Sequence, residues 1–367
     1  MVIHTFIAHM GIGGAERVCV NLTNEWARRG HEVHIVVLNL DNDINTPNLR
    51  PEIKVHELGV SRLRYAAPPM LKYIKKNKPK FMFIFGNEMA VILSKMRKFH
   101  LIRTPIVVRV LNNVNISLSK EDNVSPVVEK YLQKAQAELA GMEHVIAQCQ
   151  GMGNQLLDKG LVSNEKMTVV YNPVSEDLLE KTAGVKTTCD NDKEIVFIGR
   201  IDPQKNPVHL IEAFSKVHIK HPEVKLRMVG SGNLDNQIKE LVSELGLNDS
   251  VIFDGIRRDM ENVYASAAVV ALSSDYEGMP NCLIEAIGCG VPVVSYDCPL
   301  GPSEIIAQDV NGYLVPFHDI DSLAKHLTMA IERDWNKDAI VATCDKFRVA
   351  KIAGIYEEIF AEVGNIK

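Results

Sequence analysis

The chain has 367 residues, 46% of them apolar and 24% charged, and these proportions exclude a disordered, collagen-like or coiled-coil protein. Its length suits two domains better than one core. The net charge of −5 conceals two halves of opposite sign: residues 1–175 carry 22 Lys and Arg against 15 Asp and Glu, whereas the rest carries 19 against 31. Opposite signs indicate two modules with different partners.

Seven cysteines are scattered with no C-x-x-C pair, which predicts a reduced protein with neither a disulfide framework nor structural zinc. The first residues, MVIHTFIAHMGIGG, carry no basic segment and no cleavage pattern, so we expect no secretory signal. No apolar run approaches the roughly 18 residues that span a bilayer. We therefore expect a cytoplasmic protein, either soluble or peripheral on a membrane.

Strand-length apolar runs alternate with amphipathic stretches from the N-terminus onwards. VIHTFIAH predicts a strand, AERVCVNLTNEWARR predicts a helix that ends at Gly30, and HEVHIVVLNL predicts the next strand. Val18, Leu22 and Trp26 lie on one face of that helix. Further strands are predicted at 53–58, 81–85, 106–111, 144–148 and 167–171.

The basic excess of the first half peaks between Arg62 and Arg103, where RLRYAAPPMLKYIKKNKPK holds seven positive residues and no acid. Two interpretations stay open: a solvated helix face, or a surface for anionic membrane lipid or a phosphate-bearing substrate. Nucleic acid fits less well, because the total charge is negative and aromatic residues do not interleave the basic ones. For a lipid surface we expect four lysines to contribute: Lys72, Lys75, Lys76 and Lys78.

The second half repeats the alternation, with strands predicted at EIVFIGR, KLRMVGSG, SVIFDG, VVALSS and VPVVSY and helices between them. Repeated β-α-β units imply parallel sheets with helices on both faces. We therefore expect an α/β protein of two doubly wound, Rossmann-like domains, 1–172 and 194–349. A linker is expected at 173–193, and a C-terminal helix at about 350–367 can pack back on the first domain.

The first strand–helix turn reads GIGGAER. Gly13 and Gly14 let backbone approach a ligand, and the helix N-terminus behind them offers free N–H groups. The alternative is a tight turn without a ligand. A nicotinamide fingerprint would need glycine at the position of Glu16, which disfavours a dehydrogenase.

Two cations follow a predicted strand end in GRIDPQKNP, namely Arg200 and Lys205. Two permanent positive charges at such an end can clamp a diphosphate. Because both cations are expected on an exposed loop, their removal should affect folding little. The alternative is that they only pair with surface acids.

The densest cluster of candidate residues is DYEGMPNCLIEAIGCG, which follows the strand VVALSS. Glu277 stands in the loop, and Glu285 lies two turns into a helix that starts near Pro280. Such a carboxylate pair can hold sugar and ribose hydroxyls. Alternatively, Glu277 only caps the helix and Glu285 only faces solvent. The helix N-terminus, suited to phosphate, comprises Gly278, Met279, Pro280 and Asn281.

The ordered set GGAER, GRxxxxK and EGxPNxxxEA resembles the retaining family-4 glycosyltransferases of GT-B fold. The resemblance runs over nearly the whole chain and is strongest from 194 to 317. It implies two Rossmann-like domains that face a central cleft. It also implies transfer of a hexose or N-acetylhexosamine from a nucleotide diphosphate, most simply UDP, to a saccharide or polyprenyl-diphosphate-linked acceptor. Such enzymes build surface glycans such as lipopolysaccharide, at the inner face of the membrane where the acceptor is lipid-linked.

The resemblance implies a role for each motif. Glu277 would lie near the donor sugar, Glu285 would bind the ribose, and Arg200 and Lys205 would neutralise the diphosphate. The catalytic residues would then be Glu277, Arg200 and Lys205. The implied donor-binding set is Gly13, Gly14, Arg200, Lys205, Ile256 beside the base, Glu277, Gly278, Met279, Pro280, Asn281, Leu283 and Glu285.

One stretch departs from the family pattern. Many relatives carry R-x-H-N at the end of a strand in the first domain, with the histidine reaching the donor sugar. Here leucine stands at that position, Leu111, between Arg109 and the pair Asn112 and Asn113. Either an asparagine substitutes or the donor needs no such contact. We therefore expect Arg109, Asn112 and Asn113 as sugar or acceptor contacts and assign no catalytic histidine.

The resemblance implies retention without a metal or a cofactor beyond the nucleotide sugar, and the absence of a D-x-D motif at a strand end agrees with this. A chelator should therefore leave activity intact. Three alternatives stay open. A sugar-nucleotide epimerase of GT-B fold would act without an acceptor, a phosphorylase would need inorganic phosphate, and a sugar-nucleotide-binding module would not catalyse.

Overall fold

The computed structural model describes residues 1–41, 43–111, 133–134, 136–185 and 193–365, with backbone only at Asn87 and Glu88. The chain divides into two compact units. Unit 1 comprises residues 1–173 together with 349–367, and unit 2 comprises residues 174–348. Each unit has its own parallel sheet and its own apolar core.

The sheet of unit 1 has the strand order β3-β2-β1-β4-β5-β6-β7, and all neighbouring strands are parallel. Its central strands are rich in Val, Ile and Phe and are buried on both faces because helices cover both sides. The strands are β1 (Val2–Phe6), β2 (Glu32–Val37), β3 (Lys54–Glu57), β4 (Met82–Phe85), β5 (Ile106–Arg109), β6 (His144–Ala147) and β7 (Met167–Val169).

The helices of unit 1 follow the strands in the expected alternation. The face predicted for the first of them is buried, since Val18, Leu22 and Trp26 all point into the core. Before the C-terminal helix, the described part of unit 1 includes α1 (Gly14–Arg28), α2 (Ala67–Asn77), α3 (Asn87–Lys98) and α4 (Gln150–Asp158).

The sheet of unit 2 has the order β10-β9-β8-β11-β12-β13 and is also parallel throughout. Its strands are β8 (Glu194–Ile198), β9 (Lys225–Val229), β10 (Val251–Gly255), β11 (Ala267–Leu272), β12 (Val293–Tyr296) and β13 (Gly312–Val315). Its helices are α5 (Glu176–Gly184), α6 (Pro207–Lys220), α7 (Asp235–Glu244), α8 (Met260–Ser266), α9 (Asn281–Gly288), α10 (Pro302–Ile305), α11 (Ile320–Glu332) and α12 (Lys337–Thr343).

The strand order of each sheet reverses at one point, between β1 and β4 in unit 1 and between β8 and β11 in unit 2. Loops that leave the carboxyl ends of the strands at such a point run to opposite sides and leave a crevice for a ligand. In unit 2 these loops are 199–206, which carries Arg200 and Lys205, and 273–280, which carries Glu277 and the three residues after it.

The C-terminal helix α13 (Val349–Gly364) packs within unit 1. Its Tyr356 and Phe360 rings contact the edge of Trp26, at centroid distances of 5.7 and 5.3 Å. By contrast, the segment expected to be a linker, 173–193, contains α5 and joins unit 2 from Val174 onwards. The segment is polar in composition, but two side chains of α5 are buried, Leu179 and Thr182.

Candidate functional site

Two loops lie side by side at the carboxyl edge of the unit 2 sheet. Ser273 Oγ donates to the carbonyls of Lys205 and Asn206, at 3.0 and 2.9 Å. In the other direction, Asn206 Nδ2 donates to Asp275 Oδ1 at 2.9 Å. The backbone N–H of Asp275 donates to the carbonyl of Gln204, also at 2.9 Å. These bonds hold loops 199–206 and 273–280 together, so the charged side chains on them have a defined spacing.

Lys205 and Glu277 form a largely buried ion pair between these loops. Lys205 Nζ lies 2.5 Å from Glu277 Oε1, and the side chains retain 14% and 7% of their exposure. Ser274 Oγ donates to the same oxygen at 2.6 Å. Burial by itself lowers the pKa of Lys205, but its neighbours, Glu277 foremost and Asp202 among them, together outweigh that effect and the pKa is raised, so the ammonium stays charged. The expectation that both cations lie exposed is therefore wrong for Lys205.

The pair leaves bonding capacity for a ligand. An ammonium carries three N–H donors, and Glu277 takes one of them. Both bonds to Glu277 use Oε1, and Oε2 has no hydrogen-bond partner among the residues that the structure describes. One face of the pair can therefore donate to an anion while the other accepts from a hydroxyl group.

Arg200 contrasts with Lys205, because its side chain is 69% exposed. Its Nη2 donates to Gln204 Oε1 at 2.8 Å and lies 3.1 Å from Asp202 Oδ2. Asp202 also accepts from the backbone N–H of Lys205 and so caps the short 3-10 turn Pro203–Lys205. One loop therefore presents a largely buried cation and an exposed cation at the same sheet edge, which is the arrangement expected of an anion clamp.

Two glycines in the loop after β9 pack closely against the backbone of loop 199–206. Gly230 has a φ of +135°, and a Cβ added there would lie 1.8 Å from the carbonyl oxygen of Gly199. A Cβ added to Gly232 would lie 2.2 Å from the carbonyl oxygen of Ile201. Because this contact is with backbone, a side chain at either position would displace the loop that carries Arg200 and Lys205.

Glu285, like Glu277, is buried, so it is not the solvent-facing helix residue of the alternative reading. Tyr264 donates to its Oε2 at 2.6 Å. Cys282 lies within electrostatic range of both carboxylates and of Lys205, and burial raises its pKa to about 12. The Cys282 thiol, near the predicted carboxylate pair, therefore stays neutral.

The helix start that follows Glu277 is held by a loop that the sequence analysis did not single out. α9 begins at Asn281 after Pro280. Gly301 has a φ of +93°, and a Cβ there would lie 2.7 Å from Pro280 Cδ and 2.9 Å from the carbonyl oxygen of Gly278. Met279 and Leu283 are buried, so they support this segment from inside.

Asp275 and His318 were also missed. His318 Nε2 lies 2.8 Å from Asp275 Oδ1, and an open cavity of about 330 Å³ has Asp275, Asn206 and Leu234 in its wall. Asp275 could have been suspected because it stands two residues before Glu277. No local pattern pointed to His318, which follows the distant strand β13.

Three of the remaining predicted residues follow the carboxyl ends of other strands. Ile256 follows the edge strand β10 and is exposed. Gly13 and Gly14 stand at the start of α1 in unit 1, and a Cβ on Gly13 would lie 2.1 Å from Glu16 Oε2. The Glu16 side chain therefore folds back over this turn, and burial raises its pKa.

Arg109 does not reach a surface. It is 0% exposed, and its Nη1 donates to the hydroxyl of Tyr356 at 2.8 Å. Its Nη2 donates to Asn172 Oδ1. The side chain thus joins β5 to α13 inside unit 1 instead of offering the expected sugar or acceptor contact. Asn112 and Asn113, the other two expected contacts, lie outside the described residues.

Within the described ranges, no group of three or more His, Cys, Asp or Glu side chains is arranged to hold a metal ion. The positive charge at the site comes from the side chains of Arg200 and Lys205.

Two protein-family models together match most of the chain. Residues 12–178 match the family model described as Glycosyltransferase Family 4, and residues 181–343 match the one described as Glycosyl transferases group 1. The boundary between the two matches falls close to the division between the two units.

Two curated relatives show different extents of similarity. An exopolysaccharide phosphotransferase of Streptomyces coelicolor is 36% identical over 177 residues, and this match spans 47% of the chain but only 19% of that protein. The N-acetylgalactosamine-N,N'-diacetylbacillosaminyl-diphospho-undecaprenol 4-alpha-N-acetylgalactosaminyltransferase of Campylobacter jejuni is 25% identical over 356 residues, which span 90% of each chain.

Among solved structures, Anabaena HepE in complex with UDP and glucose superposes with a TM-score of 0.79 at 22% identity. The match covers 99% of this chain and 100% of that one. The two proteins therefore share their whole fold.

Proposed function

We propose that this chain, which belongs to the family-4 glycosyltransferases and has their GT-B fold, is a retaining enzyme that uses a UDP-sugar. It transfers a hexosyl or N-acetylhexosaminyl group to a saccharide or polyprenyl-diphosphate-linked saccharide in the synthesis of a surface glycan.

The observation that carries the proposal is the Lys205–Glu277 pair beside Arg200 at the switch point of unit 2. Arg200 and Lys205 bind the diphosphate of the donor, and Glu277 Oε2 accepts a hydrogen bond from a hydroxyl group of the sugar. Glu285, Ile256 and the start of α9 complete the donor site at the ribose, the base and the phosphates.

The choice of donor and acceptor is supported by the relatives. HepE was solved with UDP and glucose, and the Campylobacter enzyme acts on a saccharide joined to undecaprenol by a diphosphate. A chain of the same fold, with two cations at the switch point of one sheet, is suited to the same classes of substrate.

In the proposed reaction, the acceptor hydroxyl attacks the anomeric carbon on the face that the diphosphate leaves. The bond from sugar to diphosphate breaks, and a phosphate oxygen of the departing UDP takes the hydroxyl proton. Arg200 and Lys205 stabilise the negative charge that grows on the diphosphate, the role of fixed charges in a preorganised site. Because these side chains supply the charge, we propose that no metal is needed.

We further propose that the enzyme works on a membrane surface. Across the described residues, no helix is both long enough and apolar enough to cross a bilayer. In unit 1, Lys72, Lys75, Lys76 and Lys78 are all exposed, and we call these four the basic surface. The turn after α3 also exposes 74% of Phe99 and 46% of Leu101, next to Lys98 and Arg103. Cations beside exposed apolar side chains suit an anionic lipid interface.

The test is a screen of UDP- and GDP-sugars for turnover, with and without saccharide acceptors and with and without EDTA. We expect one UDP-sugar to give an acceptor-dependent product of unchanged anomeric configuration, with full activity in EDTA. Loss of activity in EDTA with recovery on adding Mn²⁺ would contradict the metal-free mechanism. Conversion of the donor sugar to an epimer without acceptor would indicate an epimerase, and dependence on inorganic phosphate would indicate a phosphorylase.

A further inference from the structure

Gln204 makes hydrogen bonds to Arg200 within loop 199–206 and to Tyr276 and Asp275 in loop 273–280. Its side-chain Oε1 accepts from Arg200 Nη2 at 2.8 Å, and its Nε2 donates to the carbonyl of Tyr276 at 3.0 Å. Its own carbonyl accepts from the backbone N–H of Asp275 at 2.9 Å. The exposed cation is thus tied through Gln204 to the loop that carries Glu277.

Arg200 depends on few other contacts. Asp202 lies 3.1 Å from the same Nη2 atom, and Nε and Nη1 have no partner among the residues that the structure describes. An exposed arginine without fixed partners loses much rotamer freedom when it binds a ligand, at a cost of up to about 2 kcal/mol. Fixing Nη2 in advance lowers that cost and leaves Nε and Nη1 to donate to an anion.

We propose that Gln204 is a positioning residue. It holds the Arg200 side chain in a fixed position relative to loop 273–280, which carries Glu277, so that the free guanidinium N–H groups meet the donor diphosphate. This inference rests on the proposed function, in which Arg200 contacts that diphosphate.

The chemistry of the side chain explains why an amide suits this position. A glutamine accepts from Arg200 and donates to Tyr276 at the same time. A glutamate would accept from Arg200 but would face the Tyr276 carbonyl without a proton, and its charge would repel the diphosphate. A methionine has a similar shape and makes neither bond.

A double-mutant cycle tests whether Gln204 acts through Arg200. UDP affinity is measured by titration calorimetry for the wild type, Gln204→Met, Arg200→Ala and the double variant, and donor kcat/KM is measured alongside. We expect Gln204→Met to weaken UDP binding about tenfold in the wild-type background, the size expected for one hydrogen bond to a charged group. In the Arg200→Ala background the same change should cost less than about twofold, because the residue through which it acts is gone.

The control is Gln308→Met, which removes one side-chain bond to a backbone N–H, that of Leu314, elsewhere in unit 2 and should leave UDP affinity unchanged. If Gln204→Met does not fold, Gln204→Ser removes the same two bonds without adding charge and takes its place in the cycle. Equal losses from Gln204→Met in both backgrounds would overturn the positioning role while leaving the proposed function intact. Unchanged UDP affinity in Arg200→Ala would overturn both.

Discussion

The sheet of unit 2 repeats the order of the first six strands in the seven-stranded sheet of unit 1, but the two units use their charged residues in opposite ways. In unit 2, Lys205, Glu277 and Arg200 lie on loops at the carboxyl edge of the sheet, with bonding capacity left over. In unit 1, the cation at the corresponding edge, Arg109, is wholly enclosed and joins β5 to the C-terminal helix. The shared topology provides the crevice, and the loop residues decide whether its charges bind a ligand or stabilise the domain.

The strongest test of this contrast separates the two roles within unit 2. Replacing Lys205 by alanine should lower kcat/KM about 100-fold or more, because a charge contact that strengthens in the transition state is lost. It should also lower the free energy of unfolding by about 3 kcal/mol, since Glu277 is left buried and unpaired. Steady-state kinetics and urea unfolding measure the two effects.

The double variant Lys205→Ala with Glu277→Gln should recover most of the stability but none of the activity. Lys216→Ala, which removes a surface ion pair with Asp321, is the matched control and should change neither quantity. Near-normal turnover in Lys205→Ala would remove this residue from the mechanism.

Much of this contrast could be predicted from sequence. Alternating apolar runs predicted both parallel sheets, and Arg200, Lys205 and Glu277 were each predicted at or just after the end of a strand. Both follow from periodicity and from the rule that parallel strands end on the same side.

The burial of individual charges could not be predicted in this way. Lys205 and Arg200 stand on one short loop, yet only Lys205 is largely buried, because Glu277 and Ser274 reach it from a loop about 70 positions later in the chain. Arg109 is enclosed by Tyr356, which is 247 positions away. Local patterns carry no information about such distant partners, and they missed Gln204 for the same reason.

The second test addresses Arg109 itself. Arg109→Met should lower the stability of unit 1 by about 2 kcal/mol, because Asn172 and Tyr356 each lose a buried bond. UDP affinity should be unchanged. Unfolding can be followed for unit 1 alone by the fluorescence of Trp26 after replacing Trp335, the other tryptophan, with phenylalanine. Arg103→Met, at an exposed position, is the control. If Arg109→Met had normal stability but bound UDP more weakly, Arg109 would be a functional residue and not a structural one.

The third test uses another group of buried polar residues in unit 1. The rings of His4 and His34 stack at 4.5 Å, and His34 Nδ1 lies 2.9 Å from His56 Nε2. Burial, together with the neighbouring His34 and His56, lowers the pKa of His4 from 6.5 to about 4. The pKa of His56 is lowered too, chiefly by burial.

A lowered histidine pKa means that the folded state favours the neutral ring. The stability it contributes is therefore complete above about pH 6.5 and is lost as the pH falls towards 4. We expect unit 1 to lose on the order of 1 kcal/mol between pH 7.5 and pH 5. His4→Gln should flatten this dependence, and His221→Gln in unit 2 should not. An unchanged slope in His4→Gln would show that His4 does not control it.

The smallest expected effect concerns the surface of unit 1, where charge is exposed instead of enclosed. The basic surface should give weak, salt-sensitive binding to anionic vesicles, because each lysine near such a surface contributes about 1 kcal/mol. Co-sedimentation with anionic and neutral vesicles at low and high salt measures it. Changing all four of its lysines to glutamine should abolish the preference for anionic vesicles. The control makes the same change in charge on unit 2, at Lys216, Lys220, Lys239 and Lys325, which are also exposed, and should keep the preference. Equal binding to both kinds of vesicle, or equal loss in both variants, would mean that the basic surface only keeps a helix face solvated.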